Sequence, residues 1–238
     1  MKNILVLLFL ITAYSPAYAQ MFSVGGQTQQ REPASSSYFR IGYSLVDFNY
    51  TGNSSNLPNQ QRLDFESPAL TFFFENTSLS ASLSFVNGLT TSGNERYLNL
   101  GIDYLNHFSF VRTRTFQLGI PFGLSSSLVN VQNEQENNDF SQTVFAFGAG
   151  AFVSAQIPER LSFSVEGIPS YGFSNSRGGL FGGSNKSLLV RARLNFLNLI
   201  KSRSISLGYD YKFSSYDLDS DDFDYDLLYH RITLGISL

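Results

Sequence analysis

From residue 37 to the C-terminus, apolar and polar residues alternate with a period of two, which is the pattern of strands with two unlike faces. The clearest stretch sets Leu79, Ala81, Leu83 and Phe85 against Ser78, Ser80, Ser82 and Ser84. The same alternation recurs at Leu98/Leu100/Ile102/Tyr104, Phe116/Leu118/Ile120/Phe122/Leu124, Leu161/Phe163/Val165, Leu188/Val190/Ala192/Leu194/Phe196, Ile205/Leu207/Tyr209/Tyr211/Phe213 and Ile232/Leu234/Ile236/Leu238. No stretch shows the 3.6-residue period of an amphipathic helix. The pattern predicts ten strands, at about 37–50, 67–75, 78–87, 95–106, 112–129, 142–156, 160–172, 186–198, 203–215 and 227–238. Long polar segments follow strands 1, 3, 5, 7 and 9. Short connections around Asn76, His107, Pro158 and Lys201 follow the others, which makes an up-and-down meander with two unlike ends. Residues 47–50 break the facing of Phe39, Ile41, Tyr43 and Leu45, which suggests a bulge there and leaves eight strands as the alternative count.

The polar faces decide the environment. A soluble sheet protein covers its outside with Lys, Glu and Asp, whereas only 15% of this chain is charged. Its polar faces are Ser, Gly, Asn, Thr and Ala, which suit a narrow barrel interior, and Phe, Leu, Ile and Tyr suit contact with lipid. Lipid offers no hydrogen-bond partners, so a spanning sheet must close on itself. The expected fold is therefore all-β, a transmembrane up-and-down antiparallel barrel over residues 37–238.

The N-terminus fits an exported chain. Lys2, the apolar run Ile4 to Tyr14 and the small-x-small Ala17-Tyr18-Ala19 form a signal-peptide pattern over residues 1–19. Residues 20–36 are polar and Gly/Ser/Gln-rich, a flexible periplasmic tether in this reading. Loss of Lys2 leaves 15 basic against 19 acidic residues, a net of −4. That balance argues against a nucleic-acid partner. With no cysteine, disulfides, thiol nucleophiles, Cys-ligated metals and lipoprotein acylation are absent.

Together these features resemble the small outer-membrane β-barrel proteins of Gram-negative bacteria. The resemblance rests on the signal pattern, the alternating loop lengths, Tyr and Phe near strand ends, and the closing strand from Tyr229 to Leu238. That strand ends on Leu238 where the superfamily commonly has an aromatic residue. The resemblance implies periplasmic termini, contact with outer-membrane lipid and lipopolysaccharide, insertion by the barrel-assembly machinery, and no cofactor. It names no specific protein partner.

Three sets of residues are candidates for chemistry. The fifth long loop clusters Asp217, Asp219, Asp221, Asp222, Asp224 and Asp226, oxygen ligands of the kind that hold calcium, though without the glycine and terminal glutamate of an EF-hand. Inward parity brings Glu166, Arg191, Arg193, Asp210, Lys212 and Arg231 into one lumenal cluster, with Glu166 opposite Arg191 and Asp210 opposite Arg191 or Arg231. Such a cluster is either a charged constriction for a narrow pore or a plug of paired charges. Catalytic signals are sparse: His107-Phe108-Ser109 is similar to the His-x-Ser pair of outer-membrane lipid A deacylases but sits at an expected periplasmic turn. The Asp-x-Asp spacings with His230 resemble omptin proteases, yet no Asp-x-His occurs. The reading is a non-enzymatic outer-membrane protein with a structural or surface-interaction role. A narrow passive pore and a lipid hydrolase are the alternatives.

Overall fold

The alternation resolves into strands β1 (Tyr38–Tyr50), β2 (Phe65–Glu75), β3 (Leu79–Val86), β4 (Glu95–Arg112), β5 (Phe116–Asn133), β6 (Asn138–Ala149), β7 (Ala151–Ile157), β8 (Leu161–Asn175), β9 (Gly183–Ile200), β10 (Arg203–Leu218) and β11 (Tyr225–Ser237). This computed structural model describes residues 37–52, 64–86, 95–133, 138–157, 160–175, 182–200, 203–218 and 224–238. The expected signal peptide and tether lie outside the described residues. Neighbouring strands pair antiparallel, and β11 closes the sheet against β1. Both β6 and β7 lie between β5 and β8, so they are one wall strand interrupted at Gly150, and the barrel has ten wall positions. The expected single strand at 142–156 is thus split. At Gly150 a Cβ would run into the Gly167 carbonyl oxygen, so only glycine lets the wall approach β8 this closely.

Register sets the shape. Following paired residues once around the barrel leads from Tyr38 through Glu75, Ser80, Asp103, Ser125, Ala146, Gly172, Asn185, Tyr216 and Tyr225 to Tyr50. The circuit therefore returns to β1 displaced by 50 − 38 = 12 residues. With a rise of about 3.3 Å per residue and strands about 4.8 Å apart, that stagger over ten strands tilts them about 40°. The backbone cylinder is then roughly 20 Å across, narrow enough for side chains to fill.

The exterior is apolar. Phe39, Ile41, Tyr43, Leu45, Ile102, Tyr104, Phe122, Leu124, Phe145, Phe147, Ile232 and Leu234 are among the large hydrophobic side chains exposed on the wall. On β11 the outward positions Leu228 to Ile236 cover about 20 Å of barrel height, close to the roughly 25 Å lipid-facing band of transmembrane barrels.

The interior differs from the small-residue lining expected along its whole length. At the end carrying the longer connections, Val46, Phe48, Val86, Tyr97, Val129, Val131, Phe140, Val144, Tyr216, Tyr225, Leu227 and Tyr229 are buried against one another. Phe48 on β1 meets Phe140 on β6, five wall positions away, with ring centroids 5.0 Å apart, and stacks on Tyr225 at 4.8 Å. Phe140 also packs on Tyr225 and Tyr216. The aromatic layer therefore bridges the bore.

This layer explains the break in strand 1. There is no bulge: β1 pairs in continuous register with both neighbours to its outer end. Instead the faces exchange character. Val46 and Phe48 point inward into the aromatic layer, while Asp47 and Asn49 point outward above the apolar band.

Candidate functional site

Beneath the aromatic layer, toward the short-turn end, the bore holds a layer of charge. Strands β8 to β11 present Glu166, Arg191, Arg193, Asp210, Lys212 and Arg231 on inward positions, and the register sets Glu166 opposite Arg191, Asp210 opposite Arg191, and Asp210 opposite Arg231. The pleat forces this parity, because on the same strands Val165, Val190, Leu207, Tyr209, Ile232 and Leu234 occupy the other face.

Asp210 is the hub. Its Oδ1 accepts from Arg193 Nη1 at 2.6 Å, Arg191 Nε lies 3.7 Å from the same oxygen, and Arg231 Nη1 is 3.5 Å from Oδ2. Arg191 also reaches Glu166 Oε1 and Asp103 Oδ2, both at 3.1 Å. Arg193 donates from Nε to Glu75 Oε2 at 2.9 Å, and Arg40 Nε donates to that oxygen at 3.0 Å. Arg231 Nε donates to Ser44 Oγ at 3.4 Å. Four guanidinium groups thus interlock with four carboxylates, and the pairs Arg191–Asp103 and Arg193–Glu75 run between strands four wall positions apart. A buried charge survives when paired and hydrogen-bonded, as these are.

Phe73 lies inside the ring of cations, its centroid 5.8 Å from the Arg191 guanidinium carbon and 5.5 Å from those of Arg193 and Arg231. Each is within cation–π range. Glycine makes the room: a Cβ at Gly208 would press on Thr233 Oγ1, Arg193 Nη1 and Arg40 Nη1, and one at Gly235 on Arg40 Cγ.

Arg40, Glu75, Asp103 and His107 complete the layer and were absent from the sequence-based cluster. Their parity was legible, since each alternates with outward apolar neighbours such as Phe39, Phe74, Ile102 and Phe108. Their height was not. Lys212 lines two small cavities, one of them shared with Asp103, Arg191, Asp210 and Arg231, and makes no ion pair among the described residues.

His107 does not sit at a turn. β4 runs on to Arg112, the turn falls at 113–115, and His107 is an inward residue whose Nε2 is 2.9 Å from Glu166 Oε2. The expected strand end at 106 fell short because Asn106 and His107 look like turn residues, yet β4 stays paired with β5 on one side through Arg112. His107 and Glu166 line a cavity of about 320 Å³ open at the short-turn end, with Arg40, Glu75, Asp103 and Arg193 also on its wall.

Asp219, Asp221 and Asp222 lie outside the described residues. Asp217 is exposed, Asp224 Oδ1 accepts from the Leu218 amide at 2.8 Å, and no group of three metal-binding side chains occurs among the described residues. His230 faces outward on the apolar wall, where its Nδ1 shares a 2.8 Å hydrogen bond with Tyr209 Oη.

No family model matches the chain, and no curated sequence does. Among solved structures, the chain is similar to the outer-membrane protease OmpT of Escherichia coli, with 8% identity and a TM-score of 0.39 over 85% of this chain and 96% of that one. Neisserial surface protein A matches with 10% identity and a TM-score of 0.36, covering 87% and 99%. Ail, the attachment invasion locus protein of Yersinia pestis, matches with 14% identity and a TM-score of 0.27, covering 86% and 99%.

Proposed function

We propose that this chain is a non-conducting outer-membrane barrel, a rigid scaffold that holds its longer connections at the cell surface for interaction, with no catalytic step of its own. Its short turns and both termini face the periplasm, its wall contacts outer-membrane lipid and lipopolysaccharide, and the barrel-assembly machinery inserts it. The observation that carries the reading is the contact between Phe48 and Phe140 across the bore, above a charged layer whose ion pairs also cross it. A conducting channel needs a continuous polar path, and two stacked layers of bridging side chains oppose one.

Planar-bilayer recording on the refolded protein tests this. The expected trace has no steady conductance, with wild-type protein and after neutralising Arg191 or Arg231 alike. A reproducible open level in the nanosiemens range in the wild type would replace the scaffold with the narrow-pore reading.

A further inference from the structure

The wall is not level at the short-turn end. β2 ends at Glu75, and β3 begins at Leu79 after a three-residue turn. β4, by contrast, continues nine residues past Asp103, the partner of Ser80, to Arg112. With β5, β7, β8 and β9 it forms a lower apron on one side of the barrel. Large apolar side chains are exposed on it, among them Phe108, Phe110, Ile157, Leu199 and Ile200. Along its margin stand Arg112, Arg114, Arg160 and Arg203, all exposed and none within ion-pair distance of a carboxylate among the described residues. The arginines inside the bore, in contrast, are all paired.

We propose that this apron binds anionic phospholipid headgroups of the periplasmic leaflet, its aromatic side chains among the acyl chains and Arg112, Arg114, Arg160 and Arg203 on the phosphates. The inference rests on the membrane-spanning reading above. Charge complementarity selects the occupant. Four guanidinium groups with no carboxylate partner among the described residues, bordering an exposed aromatic surface, match a bilayer interface, where arginine stems lie along apolar surface and the heads reach phosphate. Guanidinium forks also suit phosphate oxygens geometrically. An acidic soluble protein would match the charge but would leave Phe108 and Phe110, each about three-fifths exposed, facing water.

Spin-label resonance on the refolded protein in phosphatidylcholine vesicles tests it, using trace spin-labelled phosphatidylglycerol or phosphatidylcholine and scoring the lipid immobilised at the wall. At 0.05 M NaCl we expect phosphatidylglycerol to be favoured about threefold, falling toward parity at 0.5 M NaCl. The variant R112Q/R114Q/R160Q/R203Q should lose the preference, and the corresponding Arg→Lys variant should keep most of it. Equal selection of the two lipids by wild-type protein overturns the inference, as does a preference the Gln variant retains. Abolition by inorganic phosphate at constant ionic strength would reassign the site to a free anion and also overturns it. No immobilised lipid of either kind would fail the membrane-spanning reading itself, whereas immobilised lipid without headgroup preference fails only the apron.

Discussion

Asp210→Asn is the sharpest perturbation of the charged layer, because it removes one charge while leaving shape nearly unchanged. Asp210 is about 2% exposed and contacts three arginines. Breaking a buried ion pair from one side costs about 3–5 kcal/mol, most of it from the charge left behind. The network moderates that figure. Arg193 keeps Glu75, and Arg191 keeps Glu166 and Asp103. Arg231 has no other carboxylate within ion-pair distance among the described residues and keeps only Ser44 and the rings of Phe73 and Tyr229. A loss near the lower bound, about 3 kcal/mol, is expected. In a urea titration in vesicles, with the fraction folded read from heat-modifiable gel migration, a slope of about 2 kcal/mol/M turns that into a midpoint lowered by about 1.5 M. The double variant D210N/R231M removes the stranded cation and should recover most of the loss, which a double-mutant cycle would report as strong coupling. A single-variant shift under about 0.5 M, or a double variant less stable than the single, would refute the view that these charges hold one another in place.

Two further perturbations probe the other surfaces. Phe48→Ala removes a fully buried ring that crosses the bore, so it should cost about 3–5 kcal/mol and, alone among the substitutions considered, produce intermittent conductance in planar bilayers; a silent and fully stable variant would argue that the aromatic layer seals nothing. Leu234→Lys places a charge among outward Ile41 and Leu207 in the apolar band and should lower stability by about 2–4 kcal/mol in the same titration, whereas little change would mean that this face does not meet lipid.

The sequence alone determined the approximate places of the wall strands and which residues share a face, because a period of two is a local property of the chain, and it favoured ten strands while leaving eight as the alternative. It also placed Glu166, Arg191, Asp210 and Arg231 inward, since each is an alternate residue on a strand whose other face is apolar. Local turn chemistry was less informative. Asn106 and His107 look like a strand end, but pairing with β5 carries β4 six residues beyond Asn106. Only the tertiary structure decided which inward residues meet. A twelve-residue stagger on closure brings Glu75 and Asp103 to the height of Arg193 and Arg191, and Phe48 to that of Phe140. No segment of the chain encodes that height locally, because it is the sum of registers around a closed sheet. The same closure divides the interior into an aromatic layer over a charged one, although the strands share one alternating pattern.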